Sequence, residues 1–588
     1  MTRVLVASAA TGESDVRNFA WPLRNGPVHA ALAHGYVAAG ARDFLILARG
    51  PVAGYPVVGA QVATITGISP QSGGIAEAAI EGPLARMLLR MGLDALVLQG
   101  RASTVSGVRI AIDGNGLRAE LESSVVDSDL GVWATDRALR ESSDDVIATT
   151  GELGMAGHPA ASVVVNNGFP SAQGGLGAVL GTLNLKYLVL SAAQKDLLPS
   201  PTQSRVTQGY AAAIDGNPLT ASERNYPGFA MWPAAELAGY AGSQRFAGTV
   251  GPGLAGFSGQ DFMPYAVDDG ANACPSCPQA CLKSFSMNPA QPVDGGRAHQ
   301  LAISARASQG DETNPRRMIE FNATCHNLGV EHLAADESLA ELDETHEGSL
   351  SDAIMEALTR HPEGSGANMR IKGMAIPPFD PRGNQGLGVG FALNPTGPRY
   401  DVLEHDIDFD SDQPWMERQG IGREFGIPAG GLKFGTLGVD RHKSLELLWL
   451  AWSGLDALGV CKYAAPPTRE LTLQSVAELV RDATGEDFYD SDIYDQGRIR
   501  LAFLRQCNSL LGLDARDDAL PEHFHDSPIG EGRLAGVTVS RAEFAAAAEY
   551  LYEVFGWDAN GLASGHELRQ RVDKVNEELE SQLEGINR

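Results

Sequence analysis

The chain has 588 residues, 43% of them hydrophobic, with 68 glycines, six cysteines and a formal net charge of −28. That length exceeds one ordinary domain and suggests roughly three to four units, and the composition excludes a mainly disordered chain or a disulfide scaffold. The acidic balance argues against non-specific nucleic-acid binding, which needs Lys and Arg to displace phosphate counterions, and against an anionic membrane surface.

The opening stretch MTRVLVASAATGESD is too short and too polar for a secretory signal. No run approaches the ~20 apolar residues of a membrane span, so the expected compartment is the cytoplasm. Residues 1–200 carry short β-type runs bounded by Gly and Pro: DFLILARGPVAG (43–54), ALVLQG (95–100), GVRIAIDGNG (107–116), ASVVVNNG (161–168) and KYLVLS (186–191). Such runs predict strands, and PLARMLLRMG (83–92) predicts a helix among them.

After a linker at KDLLPSPTQ (195–203) the periodicity becomes helical in SRVTQGYAAAID, ESLAELDETH and SDAIMEALTRH. Residues 361–440 are rich in Gly and Pro. The runs LELLWLAWSGLDALGVC and LTLQSVAELVRDATG, and the last 50 residues, predict helices. Ser540 with Glu543, and Ser564 with Glu567, have capping-box spacing. In the acidic run EHDIDFDSDQPWME, Asp406, Asp408, Asp410 and Glu417 have the spacing of a calcium loop. Ser411 stands where that loop needs Gly, and Ile407 and Phe409 predict a strand with one apolar face. The expected fold class is α+β and multidomain: a β-rich domain over 1–200, then two mainly α-helical domains over 201–400 and 401–588.

Three cysteines, Cys274, Cys277 and Cys281, make C-x2-C-x3-C in CPSCPQAC. Three thiolates fall short of a structural zinc site or a cysteine-held iron–sulfur cluster, each of which needs a fourth ligand. Zinc prefers a second close Cys or His pair, and none is near. The reading is therefore a [4Fe–4S] cluster, with Cys325, Cys461 and Cys507 as candidates for the fourth ligand. Cys461 has the more telling context, because it ends DALGVC just after an apolar helix.

CPSCPQAC followed much later by DALGVC resembles the aldehyde:ferredoxin oxidoreductase family, in which D-x-x-G-L-C supplies the fourth cysteine. Further resemblances are GPVAGYPVVG (50–59), the segment GMAGHPAASVVVNNGFPSAQGGLGAVLGTLNLK (154–186), DPRGNQGLG (380–388) and ARDDALPEHF (515–524). The resemblance implies a β-rich first domain that holds pterins, and two helical domains that cover them. It implies tungsten or molybdenum on two pterins, and a [4Fe–4S] cluster on Cys274, Cys277, Cys281 and Cys461. A Mg2+ bridging the pterin phosphates would belong to the same set. The implied partners are a small-molecule substrate and a ferredoxin or a dedicated iron–sulfur subunit, with a homo-oligomer left open and no nucleic acid or membrane.

Within that frame, Gly174, Gly175 and Gly177 of GGLGAVLG let backbone N–H groups approach a phosphate; their spacing is not that of a dinucleotide fingerprint. Asp456, as an acceptor only, suits pterin N–H groups, and Gly459 lets its turn form. Lys462 can reach a phosphate or tune the cluster. The family's second motif, D-x-x-G-L-D, reads His326-Asn327-Leu328-Gly329-Val330-Glu331 here, keeping Gly329. Arg516, Asp517 and Asp518 read as ion-pair or capping residues, and Asn508 as a buried polar contact.

The family's aldehyde oxidases carry a glutamate soon after the three cysteines. Here that place reads GGRAHQLA, with His299 and Gln300. A family histidine downstream of DPRG aligns with Tyr400, and His405 lies five residues on. His299, Tyr400 and His405 are therefore the candidate acid–base residues. The implied activity interconverts an aldehyde and a carboxylic acid. The altered residues point alternatively to low-potential reduction of another carbonyl, a thioester or a ring. A reading from another class is a non-catalytic iron–sulfur relay.

Overall fold

The structure, a computed structural model, describes residues 1–114, 116–226, 241–247, 258–287, 306, 312, 314–342, 348–361, 369–409, 423–428, 431–433, 435–564, 570–575 and 577. Residues 2–192 build two six-stranded sheets. The first contains β1 (Thr2–Ser8), β2 (Ser14–Phe19), β3 (Phe44–Arg49), β4 (Val62–Ile68), β5 (Ile75–Glu81) and β6 (Ala95–Gln99), in the order β2-β1-β6-β3-β4-β5. The second contains β7 (Ser106–Asp113), β8 (Gly116–Ser123), β9 (Val146–Thr149), β10 (Val164–Val165), β11 (Phe169–Pro170) and β12 (Leu185–Ala192), in the order β11-β10-β9-β12-β7-β8. Each sheet has one parallel pair, β1 with β6 and β12 with β7.

The period-2 alternation of a strand decides which core each residue enters. Leu5, Leu45, Leu47, Leu96 and Leu98 of the first sheet face a core shared with Val108, Ile110, Val146, Leu188 and Leu190 of the second. The alternate residues Val4, Val6, Ile46, Ala48 and Val97 face a separate core with Leu387, Trp449, Leu455, Ile499 and Phe503 from the helical part. Burial on both faces explains why FLILAR reads as an unbroken apolar run.

Beyond residue 200 the chain is mainly helical. The predicted helices stand at Pro83–Arg90, Pro201–Ala213, Leu350–Arg360, His442–Leu458 and Leu473–Thr484, joined by a long Asp490–Leu511. Three expectations differ. ASVVVNNG supplies only the two-residue β10, because Asn166 and Asn167 adopt positive φ and end the strand. In ESLAELDETH only Glu337–Leu339 are helical, as the end of helix His332–Leu339; 340–342 turn, and 343–346 lie outside the described residues. Asp406–Phe409 is a 3-10 turn, not a strand. Its carboxylates are drawn to different cations: Asp406 pairs with Arg441 at 2.5 Å, while Asp408 lies beside Glu404 and Arg469. Asp410 and Glu417, and the Ser564 capping partner Glu567, lie outside the described residues. Ser540 does cap helix Arg541–Phe555, accepting the Glu543 N–H at 3.4 Å. Asn508 is buried as expected, accepting from the Ile75 N–H and donating to the Pro395 carbonyl, each at 2.8 Å. Asp518 pairs with Arg505 and Lys372. Among the described residues no helix is long and apolar enough to cross a membrane.

Candidate metal and cofactor site

Helix His442–Leu458 ends in a left-handed Gly459 (φ 75). The Gly459 N–H donates to the Asp456 carbonyl and the Val460 N–H to the Leu455 carbonyl. That closes a Schellman turn, which satisfies the last helical carbonyls and reverses the chain. The turn lands on the β3–β4 connection, GPVAGYPVVG, where the Cys461 N–H donates to the Gly59 carbonyl at 2.7 Å. The fit needs glycine on both sides: a Cβ on Gly50 would lie 2.1 Å from the Leu458 carbonyl carbon, and one on Gly459 2.6 Å from the Ala53 Cβ. Two motifs almost 400 positions apart are thus one backbone contact.

The CPSCPQAC loop faces this turn. Positive φ at Ser276 and Ala280 coils it, the Cys277 N–H donates to the Cys274 carbonyl at 3.0 Å, and Asp268 Oδ1 ties Gly270 to Ser284. Gln279 anchors it from beneath: its Oε1 accepts from the Tyr210 hydroxyl at 3.0 Å, and its Nε2 donates to Glu223 Oε2 at 3.2 Å. Cys274, Cys277, Cys281 and Cys461 line a single cavity together with Gln61, Glu81 and Tyr463. None of the four is in a disulfide. Burial pushes the Cys281 and Cys461 thiols well up, and the neighbouring cysteines add to it. Burial also pushes Cys277 up, against N–H groups of Gly59, Gln279 and Ala280 that favour its thiolate.

This donor set fits a thiolate-held cluster. Four sulfurs surround one cavity, yet among the described residues no group of three His, Cys, Asp or Glu side chains could hold a single metal ion. A zinc ion would need all four sulfurs within ~2.3 Å of one point. Of the other cysteines, Cys325 and Cys507 are fully buried in apolar clusters.

Asp456 and Lys462 flank Cys461 and belong to a buried ionic network. Lys462 Nζ lies 2.7 Å from Asp456 Oδ1 and 3.2 Å from Asp401 Oδ2. Arg399 bonds Asp401 at 2.7 Å and approaches Asp456 at 3.5 Å, while Arg500 reaches Asp456 at 3.3 Å and bonds Glu77. His29 completes the set on Glu77 at 3.1 Å. Burial, with Asp401 nearby, lifts the Glu81 carboxyl to about 7 against the opposing pull of Arg399 and Lys462.

The second motif repeats the device. Helix Pro315–Leu328 ends in a left-handed Gly329 (φ 64), whose N–H donates to the His326 carbonyl, and Val330 donates to Cys325. The Glu331 N–H then donates to the Ala160 carbonyl at 2.8 Å. A Cβ on Gly329 would lie 2.6 Å from the Gly151 nitrogen. Glu331 Oε1 accepts the Gly175 N–H at 2.6 Å and Oε2 the Gln71 amide at 2.7 Å; burial lifts this carboxyl to about 8.

The glycine-rich segment has packing duties here. The Gly175 N–H is taken by Glu331, and the Gly177 N–H by the Ala161 carbonyl at 3.0 Å. A Cβ on Gly177 would lie 2.5 Å from the Ser162 carbonyl oxygen, and one on Gly174 (φ 96) 2.8 Å from the Ala76 Cβ. Two buried acceptors do stand unpaired: Gln61 Oε1 beside the cysteines and Gln71 Oε1 beside Glu331. Ring N–H donors of a pterin match such acceptors.

Of the candidate acid–base residues, His299 lies outside the described residues. Tyr400 stands beside the cysteine turn, its hydroxyl 3.3 Å from that of Tyr463. His405 Nε2 lies 2.8 Å from the Tyr400 carbonyl, so Nε2 carries the hydrogen and Nδ1 is left as the acceptor. Phe379 packs edge-on to His405 at 4.6 Å and stacks on Tyr400. Sequence reasoning missed Gln61, Glu81, Gln279, Arg399, Asp401 and Tyr463. Tyr463 and Gln279 were signalled by adjacency to the cysteines; Glu81 and Gln61 had no local signal.

Residues 28–192 match the model of the aldehyde ferredoxin oxidoreductase N-terminal domain, and residues 343–570 that of its domains 2 and 3. The chain is 23% identical over 574 residues to the tungsten-containing aldehyde ferredoxin oxidoreductase of Pyrococcus furiosus, covering 90% of this chain and 89% of that one. It is 22% identical over 591 residues to the enzyme of that name from Thermococcus kodakarensis, covering 89% of each. In fold it is similar to the active site complex BamBC of benzoyl coenzyme A reductase, solved with 1,5 dienoyl-CoA. That likeness has a TM-score of 0.72 at 14% identity, over 99% of this chain and 98% of that one. With its β-rich first region and helical remainder, this chain belongs to the aldehyde ferredoxin oxidoreductase family of oxidoreductases.

Proposed function

We propose that the chain is a tungsten- or molybdenum-pterin oxidoreductase with a [4Fe–4S] cluster on Cys274, Cys277, Cys281 and Cys461. It interconverts an aldehyde and a carboxylic acid, and a ferredoxin or a dedicated iron–sulfur partner takes the electrons. The observation that carries the reading is the common cavity of those four cysteines. A pterin-held metal would supply two-electron chemistry when bound, and a cluster on the four cysteines would supply the one-electron exit.

The chain's own groups supply the rest. The two Schellman turns hold Cys461 against the β3–β4 connection and Glu331 against the loop carbonyl of Ala160. Gln61 and Gln71 offer buried acceptors to ring N–H groups. Lys462, Arg399 and Arg500 balance the carboxylates beside the cysteines. Tyr400 donates from its hydroxyl, since burial raises its pKa far above neutrality. His405 stays neutral, because burial lowers its pKa, and can accept a proton at Nδ1.

A second reading, reduction of a non-aldehyde carbonyl, thioester or ring, is favoured by one observation. Tyr400, Tyr463 and Glu81 stand together in forms that burial keeps protonated or nearly so. Such a set donates protons to a substrate more readily than it activates water. The test is metal and pterin analysis of protein expressed with tungstate and molybdate together, then a viologen-linked assay in both directions. Tungsten or molybdenum with pterin and aldehyde-dependent dye reduction support the first reading; metal and pterin without aldehyde turnover support the second. Iron and sulfide alone contradict both and leave an electron relay.

A further inference from the structure

Among the described residues three lysines are under 10% exposed: Lys186, Lys283 and Lys462. Taking an ammonium out of water is costly unless an opposite charge or a full set of acceptors replaces the lost hydration. Two of the three meet that condition. Lys462 Nζ lies 2.7 Å from Asp456 Oδ1 and 3.2 Å from Asp401 Oδ2, so its charge is cancelled although it follows Cys461 directly. Lys186 Nζ donates to the Ser128, Leu130 and Thr150 carbonyls at 3.0, 2.7 and 2.8 Å, one acceptor for each of its N–H groups.

Lys283 does not. It follows Cys281 by two positions and is 3% exposed. Its Nζ donates to the Arg224 carbonyl at 2.7 Å and to the Ala280 carbonyl at 3.0 Å. Among the described residues its third N–H has no acceptor, and no carboxylate forms an ion pair with it. The acidic residues around it face other groups: Asp268 Oδ1 accepts the Gly270 and Ser284 N–H groups, and Asp215 pairs with Arg224.

The geometry fixes this cation beside the cysteines. The carbonyl it holds belongs to the Ala280–Cys281 peptide. Gly270 covers the same oxygen, since a Cβ there would lie 2.3 Å from it. The other anchor, Arg224, is near the end of helix Pro218–Asn225. Gln279 grips that helix too, donating to the Thr220 carbonyl and to Glu223 Oε2, each at 3.2 Å. Loop, helix and ammonium are therefore one unit.

A cluster held by four thiolates is anionic and gains a further negative charge on one-electron reduction; nearby charge is one of the factors that set its potential. At an effective dielectric of about 20, a unit charge acting over roughly 8–10 Å shifts such an equilibrium by about tenfold or more. We propose that Lys283 is the counter-charge of the cluster site: its buried ammonium, without a carboxylate partner, balances the cluster on the four cysteines and raises that cluster's reduction potential. This rests on the cluster reading above. The step affected is the entry of one electron from a reductant; no bond forms or breaks and no proton moves.

The test is a dithionite titration of the purified, cluster-containing chain with mediator dyes at one pH, read by electron paramagnetic resonance. Lys283→Gln removes the charge and keeps a donor. It is expected to lower the midpoint by about 59 mV, a tenfold change in the one-electron equilibrium, with iron content unchanged; Lys283→Met carries the same expectation. Lys283→Arg is expected to keep the wild-type midpoint, as is Lys443→Gln, which removes the charge of an exposed lysine. A wild-type midpoint in an iron-loaded neutral variant, or an equal fall in Lys283→Arg or Lys443→Gln, overturns the proposal while the cluster reading stands. Should both neutral variants lose iron, its retention in Lys283→Arg supports the counter-charge, and its loss there too overturns it. Wild-type protein without iron or an iron–sulfur signal overturns the cluster reading and the proposal with it.

Discussion

The turns at Asp456–Cys461 and His326–Glu331 share one backbone design and carry different chemistry. In each, a helix ends in a left-handed glycine, a valine N–H closes the Schellman bond, and the next residue hydrogen-bonds to a loop of one sheet. The first turn ends in a thiol facing three others, amid Lys462, Arg399 and Arg500. The second ends in a carboxyl that accepts two neutral donors, Gly175 and Gln71. The backbone sets where the final side chain points, and the local charge sets what that side chain can hold.

Cys461→Ser is the sharpest way to break the comparison. It is expected to remove the cluster, whereas Glu331→Gln is expected to leave iron bound; iron per purified chain checks both. Next come the glycines. Gly50→Ala, with a Cβ 2.1 Å from backbone, is expected to cost on the order of 3 kcal/mol or more. Gly459→Ala and Gly329→Ala, each at positive φ with a Cβ at 2.6 Å, are expected to cost about 2–4 kcal/mol. Equal losses at Gly459 and Gly329 in thermal unfolding would confirm that the turns are equivalent supports; a loss at only one would break the equivalence.

Asp456→Asn leaves Lys462, Arg399 and Arg500 short of a counter-charge. Breaking a buried pair in this way is expected to cost about 3 kcal/mol, measurable by denaturant unfolding.

The last effect is a pH dependence, small over any single pH unit. Burial raises the Glu331 carboxyl from 4.5 to about 8 in the folded chain. The folded state therefore binds this proton more tightly than the unfolded one. The contribution to stability is fully present below about 4.5 and is lost as pH rises towards about 8. Glu331→Gln is expected to flatten that decline, whose slope for a single proton is at most about 1.4 kcal/mol for each pH unit crossed. An unchanged pH–stability curve in the variant would exclude Glu331 as its source.

Much of this was legible in the sequence. FLILAR and ALVLQ reported strands because strand burial acts over a few residues, and the C-x2-C-x3-C spacing singled out three cysteines that line one cavity with Cys461. The role of Gly50 and Gly59 was not legible, because their partner residues, Leu458 and Cys461, lie more than 400 positions away. ASVVVNNG misled for a local reason: two asparagines at positive φ cut the strand to two residues. The acidic run 404–417 misled for a global one. Its apolar residues alternate as in a strand, but Asp406–Phe409 forms a 3-10 turn, with Asp406 paired to Arg441 and Asp408 beside Arg469. Glu81, opposite Val62 in the β4–β5 register, and Gln61, just before β4 and bonded to the Gly82 N–H, entered the site through sheet pairing.

The cluster site stands on its fourth cysteine. Iron analysis of Cys461→Ser beside Cys325→Ser and wild type tests it most directly. The expected result is about four irons per chain in wild type and Cys325→Ser, and a marked loss in Cys461→Ser. Four irons retained in Cys461→Ser, or lost in Cys325→Ser alone, would contradict it.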